Sequence, residues 1–124
     1  MKAFVVDDQR AIVELLTLLL KDMNVEASGT THACEAHDAI AASKPDLVLL
    51  DVMMPELDGL SLLDQLQADP ATSPIPVVLC TASVLSPAQS RLYADKGIGI
   101  LSKPFDVEQL QDIVHAVGAG RSTR

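Results

Sequence analysis

Residues 47–55 have the sequence LVLLDVMMP, in which four aliphatic side chains are followed by the carboxylate of Asp51 and then by a turn that contains Pro55. The apolar run is short, unbroken and bounded by Pro45 and Pro55, which predicts a strand over Leu47–Leu50 that is buried on both faces. Asp51 would then lie at the carboxyl end of the strand, where open α/β sheets place their binding sites. Taken alone, the stretch fits a functional carboxylate and a solvated acid at a chain exit equally well.

Short apolar runs alternate with amphipathic segments along the whole chain. The predicted strands are Ala3–Val6, Val25–Thr30, Leu47–Leu50, Ile75–Cys80 and Ile98–Leu101. The predicted helices are Ala11–Met23, Ala33–Ser43, about Leu60–Ala68, Ser86 to about Lys96, and Asp106 to about Val117. Short strands joined through helices must lie parallel, so we predict an α/β fold: a doubly wound, flavodoxin-like (βα)5 three-layer sandwich with strand order 2-1-3-4-5.

Helical periodicity predicts which side chains of the first and last helices face the core. In the first helix the apolar stripe contains Ile12, Leu15, Leu16, Leu19 and Met23, and Leu18 lies off it. Later inward positions are Ala36, Ala39, Ile40, Ser43, Leu60, Leu63, Leu66, Leu110, Ile113, Val114 and Val117. Ser86 before Pro87, and Asp106 three residues before Gln109, are predicted N-caps of the last two helices.

Composition limits the class of protein. With 124 residues, 48% hydrophobic and 21% charged, the chain suits one globular domain, predicted over 1–118, with 119–124 as a C-terminal tail or the start of a linker. No apolar run approaches the roughly 20 residues of a membrane span, and Cys34 and Cys80 have no disulfide-framework spacing, so we expect a cytoplasmic protein. A net charge of −8 argues against direct nucleic acid binding by this domain and favours a cation or a basic partner.

Chemically useful residues follow four of the predicted strands: Asp7, Asp8, Asp51, Thr81 and Lys103. In a parallel sheet these positions share one edge. Three carboxylates repel one another unless a cation shares them, and an all-oxygen donor set favours Mg²⁺ or Mn²⁺ over zinc. A hydroxyl and an ammonium group opposite the acids bind anionic oxygens, so the set predicts a phosphoryl site in which Asp51 is a candidate nucleophile.

From Lys2 to about Val117 the chain resembles the receiver domains of two-component response regulators (CheY-like). The resemblance lies in four motifs that occur in the family's order and spacing: Asp7-Asp8, Asp51 within LLDVMMPELDG, Thr81-Ala82 and Lys103-Pro104-Phe105. It implies that Asp51 accepts a phosphoryl group from a histidine of a sensor kinase or phosphotransfer domain. Thr81 and Lys103 would hold the phosphoryl oxygens.

The same resemblance implies a metal site and a mode of action. Asp8, Asp51 and the backbone carbonyl of Met53 would ligate Mg²⁺, with Asp7 assisting through water. The domain would catalyse its own phosphorylation and slow dephosphorylation and would turn over no separate substrate. Its face formed by the fourth helix, fifth strand and fifth helix would contact an effector or output domain, with the protein a monomer or a weak phosphorylation-dependent dimer.

One position departs from the family pattern. Three residues before its lysine the family often has a Tyr or Phe that reports phosphorylation, and this chain has Ile100. A protein-interaction module that works without phosphorylation is therefore an alternative function. A flavin-binding domain of the same topology is disfavoured, because the acidic loop with Asp7 and Asp8 would repel a phosphate and the chain has no Trp.

The remaining candidate residues have simpler interpretations. His32, Cys34 and His37 lack a fourth ligand and the placement of a zinc site, so we predict a surface helix there. Cys80 should be a small core residue and His115 part of a solvated face. Tyr93 fits either an exposed contact or ordinary helix packing.

Overall fold

The computed structural model describes residues 1–52, 54, 59–81, 86–95, 98–102 and 106–122, without the side chains of residue 102 and residues 119–122. Strands and helices alternate throughout this part of the chain. They are β1 Lys2–Val6, α1 Arg10–Asp22, β2 Glu26–Thr30, α2 Ala33–Ser43, β3 Leu47–Asp51, α3 Gly59–Ala68, β4 Val77–Thr81, α4 Pro87–Asp95, β5 Gly99–Ser102 and α5 Val107–Ser122. None of these helices combines the length and the apolarity that a bilayer span requires, judged over the described residues.

The strands form one parallel sheet in the order β2-β1-β3-β4-β5, which confirms the predicted topology. The central strand β3 is buried along its whole length. Alternate side chains point to opposite faces, so Val48 and Leu50 join one core cluster while Leu47 and Leu49 join the other. An aliphatic run without polar alternation is what a strand covered on both faces requires.

Helices cover both faces of the sheet and make the predicted three layers. The first cluster includes Ile40 of α2, Leu62 and Leu66 of α3 and Tyr93 of α4. The second includes Leu16 and Leu20 of α1 and Leu110 and Val114 of α5. α1 and α5 therefore share one side of the sheet, and α2, α3 and α4 share the other.

The buried stripe of α1 differs from the predicted one at two positions. Periodicity predicts that Leu15 faces the core, but its side chain is 45% exposed, whereas Leu20, which lies outside the predicted stripe, is fully buried. Leu18 is exposed as expected. Because leucines occupy five of the six positions 15–20, helical periodicity alone permits neighbouring stripes, and the contact with the sheet selects the one centred on Leu16 and Leu20.

Other differences concern element boundaries. β4 begins at Val77 and not at Ile75, since Pro76 has no N–H to donate; its carbonyl oxygen still accepts a hydrogen bond from the Val48 N–H at 2.9 Å. α5 continues to Ser122, past the predicted end at about Val117, because Gly118 weakens a helix by about 1 kcal/mol without ending it. The domain boundary at 118 stays a prediction.

Both predicted N-caps are present as reciprocal capping boxes. At α4 the Gln89 N–H donates to Ser86 Oγ and the Ser86 N–H donates to Gln89 Oε1, each at 3.1 Å. At α5 the Gln109 N–H donates to Asp106 Oδ1 at 2.8 Å and the Asp106 N–H donates to Gln109 Oε1 at 3.0 Å. Each box satisfies two backbone donors that a helix start would otherwise leave without a partner.

A side-chain hydrogen bond ties α2 to the turn after α3. His37 Nε2 lies 2.8 Å from Asp69 Oδ2, and Asp69 Oδ1 accepts the Ala71 N–H at 2.9 Å. The backbone hydrogen bond from Ala71, followed by the side-chain hydrogen bond from His37, lowers the pKa of Asp69 below its ordinary value. The carboxylate form of Asp69 is therefore favoured in the folded protein.

Truncation to alanine should have different effects on stability at the two leucines of α1 that sequence periodicity assigns to the wrong faces. We expect Leu20→Ala to lower the free energy of unfolding by about 2–5 kcal/mol, because it leaves a cavity under α1. Leu15→Ala, the matched control on the same helix, should change it by less than about 0.5 kcal/mol. Urea denaturation of the two variants measures both values, and equal losses would contradict the observed burial.

The ionised state of Asp69 should contribute stability that depends on pH. Its folded pKa is lower than its unfolded value of about 3.9, so the contribution is present above that value and is lost as pH falls through the folded pKa. We expect Asp69→Asn to be less stable than wild type at pH 7, with the difference shrinking below about pH 4. Asp38→Asn is the matched control, since exposed Asp38 lies 4.0 Å from the same histidine. A difference between wild type and Asp69→Asn that stays constant from pH 7 to pH 3 would rule the effect out.

Candidate functional site

Three neighbouring strands deliver the candidate residues to one edge of the sheet. β1 and β3 are paired with Val6 opposite Leu50, so the next residues on these strands are Asp7 and Asp51. β3 and β4 are paired with Asp51 opposite Cys80, so Thr81 lies one step further along β4. Parallel register thus brings two carboxylates and a hydroxyl to the carboxyl edge from parts of the chain that are far apart in sequence.

The carboxylates of Asp7, Asp8 and Asp51 form a compact cluster. One oxygen from each lies within 4.8 Å of the others. Asp7 is 1% exposed and Asp51 is 5% exposed, whereas Asp8 is exposed to solvent. Two acids with little access to water beside a third repel one another, and an all-oxygen set of this spacing fits a hard divalent cation such as Mg²⁺. The residues present therefore fit the metal that the sequence suggested.

The start of α1 holds Asp7 in place. The Gln9 N–H donates to Asp7 Oδ1 at 2.9 Å, and the Asp7 N–H donates to the carbonyl oxygen of Thr30 at 3.4 Å. Gln9 is the N-cap of α1, and its carbonyl oxygen accepts the N–H of Val13 at 3.2 Å. Asp7 is thus oriented from both sides, by the first turn of α1 and by the end of β2.

Backbone contacts hold Asp51. The Val52 N–H donates to the carbonyl oxygen of Cys80 at 3.2 Å, and the Gly59 N–H donates to the carbonyl oxygen of Val52 at 2.9 Å. A Cβ added to Gly59 would overlap the carbonyl oxygen of Asp51 and come within 2.8 Å of Val52 Cα. In the sequence, Gly59 directly precedes the first apolar residue of the helix predicted from about Leu60. A glycine at such a position suggests close backbone approach.

Thr81 is the last residue of β4 and is 1% exposed. It lies opposite Ser102 of β5, so the position after Ser102 belongs to Lys103. Lys103 and Met53 lie outside the described residues, and their predicted roles stay predictions. The described part of the site consists of the three carboxylates and Thr81.

The histidine and cysteine residues of α2 belong to no cluster of candidate metal ligands in the part of the chain that the structure describes. Within the described ranges, Asp7, Asp8 and Asp51 are the one group of three or more candidate ligands close enough to share an ion. Cys34 is exposed on α2, and His37 pairs with Asp69. Cys80 is buried as predicted, and Tyr93 is buried in the core, which favours ordinary packing of α4 over an exposed contact.

Comparison with known proteins agrees with the fold. The family model for the response regulator receiver domain matches residues 3–115. The chain is 30% identical over 118 residues to the DNA-binding dual master transcriptional regulator RpaA of Synechocystis sp., covering 94% of this chain and 48% of that protein. It is 38% identical over 111 residues to the response regulator MprA of Mycobacterium avium, covering 89% of this chain and 47% of that protein.

Solved structures show the same similarity. The N-terminal domain of a response regulator receiver protein from Methanoculleus marisnigri JR1 is 34% identical with a TM-score of 0.78, covering 94% of both chains. The chemotaxis protein CheY4 of Vibrio cholerae is 25% identical with a TM-score of 0.83, covering 94% of this chain and 97% of that one.

The chain belongs to the response regulator receiver domain family, and its fold is the flavodoxin-like fold of CheY-type receivers. It spans about half the length of the curated relatives it matches. It is a receiver domain of the kind found in two-component systems.

Proposed function

We propose that this domain is a phosphorylation-controlled signalling switch in which Asp51 accepts a phosphoryl group from a phosphohistidine. The observation that carries the proposal is the carboxylate cluster, with Asp51 held at the end of a wholly buried strand and its oxygen within 4.8 Å of those of Asp7 and Asp8. The donor would be a histidine kinase or a histidine phosphotransfer domain, and the reaction would take place in the cytoplasm.

The chemistry requires an oxygen nucleophile and compensation of negative charge. A carboxylate oxygen of Asp51 attacks phosphorus, the P–N bond to the donor imidazole breaks, and the imidazole leaves with the bonding electron pair and takes up a proton. The product is an acyl phosphate. Mg²⁺, or Mn²⁺, held by Asp8 and Asp51 with the carbonyl of Met53 and, through water, Asp7, would supply positive charge to the phosphoryl oxygens.

The other site residues would bind the transferred group. The hydroxyl of Thr81 donates to one phosphoryl oxygen, and the ammonium group of Lys103 pairs with another. Water then attacks the acyl phosphate slowly, so that the domain loses its phosphoryl group without a separate substrate. The protein contributes position and charge to both steps, which is the usual division of work in phosphoryl transfer.

The output would use the face formed by α4, β5 and α5. On β4 and β5 the side chains of Thr81, Leu79 and Ile100 lie on the face of the sheet that α4 covers. Tyr93 is the one buried residue of α4, and the Ile98 N–H donates to its carbonyl oxygen at 2.9 Å. We propose that Thr81 moves toward a bound phosphoryl group and that Ile100 then shifts in the core. This shift would change the packing of Tyr93 and hence the position of α4 on the face that contacts a partner.

The relatives suggest which kind of partner the output face would bind. RpaA is described as DNA-binding, and the present chain corresponds to about half of that protein. We propose that an output domain or a separate effector binds the α4-β5-α5 face. A domain with a net charge of −8 is poorly suited to bind nucleic acid itself. Phosphorylation would leave it a monomer or produce a weak dimer.

Incubation with Mg²⁺ and acetyl phosphate should add one phosphoryl group to the wild-type protein. The site supplies the nucleophile and the charge compensation, so a small phosphodonor should replace the phosphohistidine. Intact-mass spectrometry measures the gain, which should disappear when Mg²⁺ is chelated.

Asp51→Asn should lose the modification completely, because an amide oxygen is a poor nucleophile. Asp69→Asn is the matched control, since Asp69 follows the opposite end of α3 from Gly59, which lies against the Asp51 backbone. This variant should be modified as fully as wild type. An unmodified wild type, or an Asp51→Asn variant modified to the same extent, would refute the proposal.

Millimolar Mg²⁺ should stabilise the folded protein by relieving the repulsion within the carboxylate cluster. At ten times its dissociation constant a ligand contributes about 1.4 kcal/mol, or roughly 4–7 °C in Tm for a domain of this size. Differential scanning calorimetry against NaCl of equal ionic strength measures the shift. Asp8→Asn, a change at the exposed member of the cluster, should raise the metal-free Tm and reduce the response to Mg²⁺. Equal responses to Mg²⁺ and NaCl would argue against the cation site.

The aliphatic residue at position 100 favours a second candidate function, a protein-interaction module that works without phosphorylation. The two functions differ in one measurable property. A switch changes its affinity for a partner when a phosphodonor is added, whereas a constitutive module binds equally well before and after modification of Asp51.

A further inference from the structure

Gly59, the first residue of α3, makes the closest backbone approach to Asp51 among the glycines whose surroundings are described. A Cβ at this position would overlap the carbonyl oxygen of Asp51 and lie 2.8 Å from Val52 Cα and 3.0 Å from the carbonyl carbon of Asp51. The atoms that it would meet are all backbone atoms of the strand end that carries the proposed nucleophile. They cannot rotate away as a side chain could.

Glycine is required here because a Cβ atom would not fit. Gly59 does not adopt a left-handed backbone conformation, so any L-residue could take its dihedral angles. The Gly59 N–H donates to the carbonyl oxygen of Val52 at 2.9 Å, and this hydrogen bond fixes the start of α3 against the end of β3. A side chain at position 59 would have to push α3 away or push the backbone of Asp51 along the sheet edge.

The position of the Asp51 backbone decides where its carboxylate lies. The carboxylate oxygen lies within 4.8 Å of oxygens of Asp7 and Asp8, and Asp7 is held separately, by the Gln9 N–H and by the carbonyl oxygen of Thr30. A displacement of Asp51 alone would therefore open the cluster. An ångström of displacement at a reacting group can cost about 100-fold in rate.

We infer that Gly59 is a positioning residue for Asp51. Because Gly59 has no side chain, the end of β3 can lie against the start of α3, and in this position the Asp51 carboxylate is close to those of Asp7 and Asp8. Gly59 has no side chain that could hold the cation or the phosphoryl group, so it would act only through the backbone of residues 51 and 52. The inference rests on the proposed function for its phosphorylation readout but not for its cation readout.

Two other substitutions provide matched controls for a Gly59→Ala variant. Leu20→Ala removes a fully buried side chain near the C-terminal end of α1, at the opposite end of that helix from the contact with Asp7. A Cβ at Gly118 would meet nothing within 4 Å. Leu20→Ala therefore controls for lost stability, and Gly118→Ala controls for the change of residue type.

The test measures three quantities for wild type and the three variants: Tm, the dissociation constant for Mg²⁺ from its effect on Tm, and the phosphorylation rate with acetyl phosphate at saturating Mg²⁺. Gly59→Ala should lower the rate and the Mg²⁺ affinity each by about tenfold or more, since both depend on where Asp51 lies. Leu20→Ala should lose stability but keep rate and affinity within about threefold of wild type, and Gly118→Ala should match wild type throughout.

Several outcomes would overturn the inference. A Gly59→Ala variant with wild-type rate and Mg²⁺ affinity would do so, as would losses of rate and Mg²⁺ affinity in Leu20→Ala equal to those in Gly59→Ala. If wild type takes up no phosphoryl group, the proposed function fails, and the inference is then decided by Mg²⁺ affinity alone.

If Gly59→Ala does not fold, a measurement on wild type replaces it. The chain has six glycines, so selective ¹⁵N-glycine labelling gives a simple amide spectrum. Mg²⁺ should shift the Gly59 signal, because the Gly59 backbone lies directly against the backbone of Asp51 and Val52, and it should leave the Gly118 signal in place. A Gly59 signal that does not respond to Mg²⁺ would overturn the inference.

Discussion

The position of β3 between β1 and β4 is the constraint on which the rest of the structure depends. All five residues of β3 are buried, and its side chains supply both core clusters. A strand covered on both faces can carry a carboxylate only at its end, since a carboxylate inside either cluster would lose its hydration without compensation. Asp51 therefore occupies the first position at which the chain can present an acid. Parallel pairing then fixes which residues of β1 and β4 lie beside it.

The topology was predictable because the separate sequence patterns all indicated the same fold. Short aliphatic runs, helical periodicity and polar strand ends all indicated the same sheet, and the capping pairs at Ser86 and Asp106 marked two helix starts correctly. The stripe of α1 was not predictable in full, because a leucine-rich helix permits several inward faces and tertiary contact selects Leu20 over Leu15. The pair of His37 and Asp69, and the contact of Gly59 with Asp51, join segments whose approach only the folded chain reveals.

The helices on one face of the sheet, α2, α3 and α4, are held to it with unequal strength. α3 buries Leu62, Leu63 and Leu66 in addition to Gly59, whereas α4 buries Tyr93 and nothing else. Helical stability in a protein comes mostly from packing of the apolar face, so α4 has the least to lose on local displacement among the helices on its side. On the proposed function this asymmetry is useful. Because only the ring of Tyr93 anchors α4 in the core, a small rearrangement at Thr81 and Ile100 would be enough to shift α4.

The carboxylate cluster makes the site sensitive to positive charge because its two buried members, Asp7 and Asp51, are held close together. Asp7 is held by the Gln9 N–H and by its own hydrogen bond to Thr30, and Asp51 belongs to a strand paired on both sides. Flexible acids would lower their mutual repulsion by turning into solvent, and a cation would then have to reassemble them. Acids fixed by the sheet keep the repulsion in the folded state, so a cation or a cation-bound phosphoryl group relieves it on arrival. Rigidity of the strand ends is thus part of the binding site itself, and Gly59 contributes to it by leaving room for the backbone that carries Asp51.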